Sequence, residues 1–289
     1  RTSLRASVGL VVGAAVLIAS AGGVREAPSD VSAEMASLAA GDPGVEGRAT
    51  SAEASAVDKA SPTVLSAPAE APAEISSVVG LGDSVMAAGN CGCDGIVDAV
   101  ADSLVASQGH DVARTNFGAN GLTAAQLRAE LASDQDLRSV VASADVVVVT
   151  IGANDLVPLV GEWSDESGCA ADCFAPVVGA DLTDVETLIS DVRTINPGGR
   201  ILVTGYWNVF EDGQNAPGEA YREFGDSVTR AFNTDLQDVC RRVEATYVDL
   251  YEPFKGAGDV DPTALLAGDA DHPNAQGYAV ITQAVLAAL

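Results

Sequence analysis

The chain has 289 residues, of which 41 are acidic and 15 are basic, so its formal net charge is −26. This excess of negative charge argues against nucleic-acid binding, because phosphate contacts need clustered Lys and Arg. It disfavours adsorption to an anionic membrane surface for the same reason. Five cysteines without a pair of CxxC motifs argue against a disulfide-dense miniprotein and against a zinc site.

The first 21 residues have the layout of a secretory signal peptide. Arg1 and Arg5 precede an apolar run, and Ala19, Ser20 and Ala21 give a small-x-small ending. We therefore expect cleavage after Ala21 and a secreted protein with no stable membrane insertion. The alternative is an uncleaved anchor, since the 19 residues over 6–24 are long enough to just span a bilayer.

Residues 22–74 predict a disordered acidic linker. The segment is rich in Ala, Ser, Pro and Glu, has five prolines and contains no aromatic residue. Such a composition buries too little apolar area to offset the entropy of ordering the chain. We expect a flexible tether, suited to crossing a cell-wall layer, followed by a folded domain over residues 75–289.

Short apolar segments alternate with helical patterns from residue 75 onward. The centre of residues 144–151 (ADVVVVTI) is continuously apolar, which is typical of a strand covered on both faces. The predicted strands span residues 77–81, 111–116, 144–151, 200–204 and 246–250. The predicted helices span residues 95–107, 123–131, 182–195, 219–243 and 274–289. This alternation predicts a three-layer α/β/α fold around a mainly parallel, five-stranded sheet.

Four polar, Gly-rich loops follow predicted strands. They are GDSV at 82–85, NFGANG at 116–121, GAND at 152–155 and GDADHPN at 268–274. In an open α/β sheet the ligand site lies outside the carboxyl ends of the strands. We therefore expect these loops to meet at one edge of the sheet.

The chain contains only two histidines, His110 and His272. His110 lies in a predicted surface turn, where we expect it to be solvated. His272 follows Asp269 by three residues, a spacing that can place a carboxylate against the ring Nδ1. The alternative is a capped loop in which the histidine has no chemical role.

Ser84 directly follows a predicted strand and is expected to open a helical turn. There its hydroxyl faces outward and its own amide faces a bound anionic oxygen. The alternative is a helix-capping serine. The amide of Gly121 and the side-chain amide of Asn154 are further candidate donors, although each loop alone is also consistent with ordinary turn chemistry.

Taken in order, these four blocks resemble those of the SGNH (GDSL-type) hydrolase family over roughly residues 77–289. The resemblance implies that Ser84 is the nucleophile, His272 the general base and Asp269 the acid that orients it. It also implies three oxyanion donors, namely the amides of Ser84 and Gly121 and the side chain of Asn154. The first block reads GDSV where the family has GDSL. Gly118 is the alternative in the second block, but Gly121 precedes Leu122 and Thr123 as the family's glycine precedes its helix.

The same resemblance implies a secreted serine esterase or lipase that forms an acyl-enzyme and needs neither cofactor nor metal. Its substrate would be a small-molecule, lipid or polysaccharide ester, and we expect a monomer. An acyltransferase or a carbohydrate acetyl esterase would use the same site, and a non-catalytic cell-surface binding module is a further alternative. A dinucleotide site is disfavoured, because the GxGxxG motif would need a glycine at position 85, where this chain has Val85. An EF-hand calcium loop is disfavoured as well, because a loop starting at Asp269 would need an oxygen ligand at position 273, which is Pro273.

Export and the family resemblance together imply a disulfide between Cys169 and Cys173, in the loop after GAND. The remaining Cys91, Cys93 and Cys240 allow one more bridge, either Cys91–Cys93 or Cys93–Cys240, and leave one thiol over.

Two segments, residues 157–178 and residues 206–217, are expected to wall the substrate pocket. Their aromatic residues Trp163, Tyr206 and Trp207 are candidate substrate contacts, although such residues more often pack a loop.

Overall fold

The computed structural model describes residues 74–162 and 174–289, and five strands in these ranges form one sheet. The strands are β1 (Ser77–Gly82), β2 (Ala113–Gly118), β3 (Val146–Thr150), β4 (Arg200–Thr204) and β5 (Thr246–Val248). All neighbouring strands run parallel, in the order β2-β1-β3-β4-β5. The predicted α/β fold with a parallel five-stranded sheet is therefore confirmed.

The helices of the described ranges flank this sheet. They are α1 (Ser84–Ala87), α2 (Ile96–Gln108), α3 (Ala124–Ser133), α4 (Gln135–Ala142), α5 (Ala153–Leu156), α6 (Pro158–Glu162), α7 (Ala175–Ile195), α8 (Glu219–Arg242), α9 (Tyr251–Lys255) and α10 (Ala275–Ala287). Short 3₁₀ turns lie at Gly213–Asn215 and Pro262–Leu265. Helix α2 packs against β1, β2 and α10, while α7 packs against α3, α4 and α8.

The burial of each strand explains how clearly the apolar pattern of the sequence predicts it. Every residue of β3 is buried, as expected for the VVVVT run in a sheet covered on both faces. Strand β2 lies at the sheet edge and exposes Ala113 and Arg114, so its apolar signal is weaker. It begins two residues later than predicted and extends to Gly118.

Capping residues explain several helix boundaries. Thr123 caps α3, where its hydroxyl accepts from the amide of Gln126 and the Gln126 side chain accepts from the amide of Thr123. Asp134 caps α4, a helix that the sequence analysis missed. Helix α7 begins at Ala175, seven residues earlier than predicted, with Pro176 in its first turn, where a missing amide hydrogen has no cost.

Several predictions lie outside the described residues. They concern the signal peptide, the linker up to residue 73, and Trp163, Cys169 and Cys173. Within the described ranges, none of the helices combines the length and the apolar character needed to cross a bilayer.

Candidate active site

The carboxyl ends of β1, β2 and β3 meet closely. Gly82, the last residue of β1, pairs with Gly118 and Thr150 on either side, and its carbonyl accepts from Ala119 at 2.9 Å. Gly82 has φ +150°, and a Cβ there would collide with the carbonyl oxygen of Thr150. Only glycine therefore allows this approach, and the loops after the three strands are brought together, as the parallel topology predicts.

Ser84 is the first residue of α1, and Asp83 caps that helix. The Asp83 carboxylate accepts a 2.9 Å hydrogen bond from the amide of Val85. The alternative reading of Ser84 as the capping residue is therefore wrong. Among the contacts of the described residues, neither the hydroxyl nor the amide of Ser84 forms a hydrogen bond. The half-buried side chain thus remains available to an external partner.

His272 and Asp269 lie side by side in the loop before α10. The ring Nδ1 is 2.9 Å from Asp269 Oδ2, while Asp271 Oδ2 is farther from Nδ1, at 3.6 Å. The imidazole is 16% exposed. Burial acts to raise the pKa of Asp269, but hydrogen bonds from the amides of His272 and Asp271 and from the His272 ring lower it below the usual value. Asp269 is therefore held as a carboxylate, with the other ring nitrogen, Nε2, left for chemistry.

The backbone of this loop is fixed at both ends. Leu266 and Pro273 form an isolated antiparallel bridge, and the amide of Ala267 donates to the carbonyl of His272 at 2.7 Å. Between them, Ala270 adopts a left-handed conformation, with φ +63°, and its carbonyl accepts from the backbone amide of Asp212 at 2.8 Å. Backbone hydrogen bonds thus stabilise a tight turn that holds the histidine and the carboxylate together.

Two contacts join the serine turn to the histidine loop. The hydroxyl of Tyr278, on α10, donates to the carbonyl of Val85 at 2.9 Å. The side chain of Asn90 donates to Asp269 at 3.4 Å. Ser84 and His272 therefore lie on elements that touch, but no hydrogen bond connects the two side chains within the described residues.

Asn154 and Gly121 bring two further donors to the same edge. Asn154, on α5, donates its side-chain amide to the carbonyl of Leu122 at 3.0 Å, and Asp155 accepts from the amide of Ala124 at 2.9 Å. These bonds fasten the loop after β3 to the loop after β2. The Gly121 amide forms no hydrogen bond in the described part of the chain, and a Cβ on Gly121 would meet nothing within 4 Å.

Gly118, the alternative to Gly121, has a different environment. A Cβ on Gly118 would collide with the backbone of Met86 and Ala87 in α1. Gly118 therefore allows α1 to pack closely on the end of β2, whereas Gly121 faces open space with φ +76°.

The family model for GDSL-like lipases and acylhydrolases matches residues 81–280, which include all of these loops. The chain belongs to the GDSL-like lipase/acylhydrolase family. As a member of this family it is a carboxylic ester hydrolase.

Solved structures share the fold of this GDSL-like hydrolase. The lipase Lip_vut3 from a goat rumen metagenome aligns with a TM-score of 0.62 at 21% identity, covering 73% of this chain and 96% of its own. A GDSL-like lipase from Parabacteroides merdae gives 0.56 at 18%, covering 74% and 95%. A catalytic mutant of an acetylxylan esterase from Geobacillus stearothermophilus gives 0.53 at 18%, covering 73% and 93%. Curated protein sequences gave no match.

The structure does not place Tyr206 and Trp207 where a substrate can touch them. Both side chains are 1% exposed, and Trp207 stacks on Phe254 with ring centroids 4.4 Å apart. The prediction that these two residues contact the substrate is therefore wrong. The reason is that the chain after β4 turns inward and packs its aromatic rings into the core. The sequence alone does not show whether an aromatic pair in a predicted loop faces the core or the solvent.

The sequence analysis missed a buried pair beside the serine. The Tyr206 hydroxyl donates to Asp83 Oδ2 at 2.5 Å, and Asp83 is 1% exposed. Burial raises the pKa of Asp83 to about 6, although the hydrogen bonds from Tyr206 and Val85 oppose that rise. The signal available in the sequence is the Asp directly before Ser84.

The structure pairs Cys91 with Cys93 in a disulfide, one of the two options left open. Cys240 is buried as a free thiol, and burial raises its pKa to about 12, so it is not a reactive thiolate.

No group of three or more His, Cys, Asp or Glu residues in the described ranges converges as ligands for an ion.

Proposed function

We propose that this GDSL-like hydrolase is a secreted serine esterase in which Ser84, His272 and Asp269 act together. The observation that carries the proposal is the Asp269–His272 pair, on a loop that contacts the turn bearing Ser84. The carboxylate fixes the ring tautomer and supports the imidazolium, so that Nε2 acts as the base.

The reaction follows from these roles. His272 Nε2 takes the Ser84 proton while Oγ attacks the ester carbonyl carbon. The tetrahedral intermediate then collapses, and the departing alkoxide takes the proton from His272. Water, deprotonated by His272, attacks the acyl-enzyme, and the carboxylic acid leaves as Ser84 regains its proton.

Three donors are available for the oxyanion of that intermediate. The amides of Ser84 and Gly121 have no protein acceptor within the described residues. The Asn154 side-chain nitrogen carries two hydrogens, and its bond to the Leu122 carbonyl uses one of them. Donors that are already positioned stabilise the developing charge without reorganisation during the reaction.

The experiment is hydrolysis of p-nitrophenyl acetate and butyrate by the wild type and by Ser84→Ala. The variant should lose the ester hydrolysis that depends on the enzyme, with an unchanged melting temperature. Ser133→Ala, an exposed serine at the end of α3, is the matched control and should retain full activity. Hydrolysis by Ser84→Ala at the wild-type rate contradicts the proposal.

The polar rim favours small, polar esters as substrates, acetylated saccharides among them. Asn90, Asn120 and Asp269 are exposed around the site, and Asn120 lies beside Gly89. A rim of this kind offers little apolar surface to a long acyl chain. Across p-nitrophenyl esters of two to twelve carbons, we expect kcat/KM to be highest for the shortest, and release of acetate from acetylated xylan is the polymer test. A maximum at ten or twelve carbons contradicts this preference.

Export is part of the same proposal and rests on the signal-like residues 1–21. We expect the protein in the culture medium to begin at Gly22, which N-terminal sequencing would establish. Retention of Arg1 in a membrane fraction would instead support the uncleaved anchor.

A further inference from the structure

We propose that Tyr206 is a positioning residue for ester hydrolysis, whose buried hydroxyl holds the carboxylate of Asp83 and thereby the turn that presents Ser84. The inference rests on the proposed role of Ser84. Tyr206 does not touch the substrate and acts through Asp83.

The first step of the argument is that Tyr206 is itself rigidly held. Its backbone amide donates to Asn233 Oδ1 at 3.0 Å, and its carbonyl accepts from Asn233 Nδ2 at 2.7 Å. Its ring lies 6.0 Å from that of Phe232 and 6.4 Å from that of Trp207. A residue clamped by α8 on both backbone groups presents its hydroxyl at a fixed point.

The second step is that Asp83 has few partners to replace Tyr206. One carboxylate oxygen accepts from the amide of Val85 at 2.9 Å, and the other accepts from Tyr206 at 2.5 Å. Asp83 is fully buried, so water cannot substitute for a lost donor. Removing the Tyr206 hydroxyl therefore leaves a buried carboxylate oxygen unsatisfied, next to the serine.

The third step is that Tyr206 lies between two parts of the site. The backbone of Ala153, which precedes Asn154, faces the Tyr206 hydroxyl and opposes the rise in its pKa that burial causes. The buried Tyr206 hydroxyl thus lies between the serine turn, which it contacts through Asp83, and the turn that carries Asn154.

The ionisation of Asp83 makes this role measurable. Burial raises the pKa of Asp83 to about 6, and the Tyr206 hydrogen bond opposes that rise. The other titratable groups that face Asp83 are Asp271 and His272, on the loop before α10, and Tyr278, on α10. Losing the hydroxyl raises the pKa of Asp83 further, so Asp83 stays protonated and neutral up to a higher pH.

The test compares the wild type with Tyr206→Phe, which keeps the ring and removes one oxygen. The acid limb of the kcat/KM profile should move upward by about one to two pH units, the amount that a lost hydrogen bond to a carboxylate implies. Tyr247→Phe is the matched control, because the Tyr247 hydroxyl forms no hydrogen bond in the described ranges and lies on β5. An acid limb that superimposes on that of the wild type overturns the inference.

A double variant shows whether the shift of the acid limb arises from the titration of Asp83 or of another group such as His272. In an Asp83→Asn background, Tyr206→Phe should no longer shift the acid limb, because the carboxyl is gone. The same shift in both backgrounds overturns the inference, since it would then come from another group.

Stability supplies a readout that does not depend on esterase activity. A carboxyl with a raised folded pKa contributes stability that is present below its unfolded pKa and is lost as the pH rises through the folded pKa. Because Tyr206→Phe raises that folded pKa, the difference in urea midpoint between the two proteins should widen from pH 5 to pH 8. An equal difference at both pH values overturns the inference even if esters are hydrolysed. A wild type that hydrolyses no ester but shows the widening contradicts only the proposed function.

A measurement on the wild type covers the case in which Tyr206→Phe does not fold. Because the Tyr206 hydroxyl is buried and hydrogen-bonded to Asp83, it should give a proton resonance that is protected from exchange and that moves in Asp83→Asn. A spectrum without that resonance, or one unchanged by Asp83→Asn, overturns the inference.

Discussion

At the scale of single residues, the choice of carboxylate partner for His272 is decided by distance. Asp269 lies 2.9 Å from Nδ1 and also accepts from the backbone amides of His272 and Asp271. Asp271 is 3.6 Å from the same nitrogen. The carboxylate that holds the ring is therefore the one three residues before it, as the spacing in the sequence predicts.

Asp269→Asn tests this assignment. The amide can donate to Nδ1 and favour the wrong ring tautomer, so kcat should fall by about 10³–10⁴-fold. Asp271→Asn, two residues away in the same loop, is the matched control and should change kcat by less than about tenfold. Equal losses in both variants would show that the loop charge matters and the Nδ1 contact does not.

At the scale of elements, glycines govern how closely α1 approaches the sheet. Gly118 lets the end of β2 lie against the backbone of α1, and the side chain of Asn116 donates to the carbonyl of Met86 at 2.8 Å. The placement of Ser84 thus depends on the edge strand as well as on β1.

Gly118→Ala should destabilise the protein by about 1–3 kcal/mol, because its Cβ would overlap backbone that cannot move aside cheaply. Gly179→Ala is the matched control. Gly179 lies within α7 with nothing near its Cβ position, and alanine there should stabilise by about 0.5–1 kcal/mol. Urea denaturation measures both, and a neutral Gly118→Ala would show that α1 packs less closely than described.

The elements also show how far the sequence could predict the molecule. The buried runs of β3 and β4 are apolar at nearly every position, so their place and the parallel topology follow from the pattern. Helix α4 was missed because it has only eight residues and its boundary depends on the Asp134 side chain. Propensity alone does not resolve so short a helix.

The candidate site, like the fold, could be predicted only in part from the sequence. Loops after parallel strands converge by topology, so the grouping of Ser84, Asn154 and Asp269–His272 could be inferred from the sequence. The burial of Tyr206 depends on how the chain turns after β4 and on Asn233, twenty-seven residues later. No local pattern carries that information, which explains why Tyr206 was assigned to substrate.

At the scale of the whole molecule, one buried carboxyl group should shape the pH dependence of stability. Asp181, on α7, is 6% exposed, and neither of its carboxyl oxygens has a hydrogen-bond partner. Burial, with the nearby Asp155 and Asp184, raises its pKa to about 8. Its contribution to stability is therefore present below its unfolded pKa and is lost as the pH rises toward 8.

Asp181→Asn removes that titration and should gain stability relative to the wild type as the pH rises from 5 to 9. We expect a gain of about 1–3 kcal/mol at pH 9, the range for an unsatisfied buried polar group. Thr194→Ala, an exposed residue without a titratable group on the same helix, is the control, and its difference from the wild type should stay nearly constant with pH. Parallel stability curves for Asp181→Asn and the wild type would contradict the assignment.

The most direct test of the central claim is covalent labelling with a fluorophosphonate, followed by peptide mass mapping. The reagent captures only a hydroxyl that a neighbouring base activates. The account predicts one adduct, on Ser84, and a labelling rate at least about 100-fold lower in His272→Ala. An adduct on another residue, or equal labelling of Ser84 in the two proteins, would contradict it.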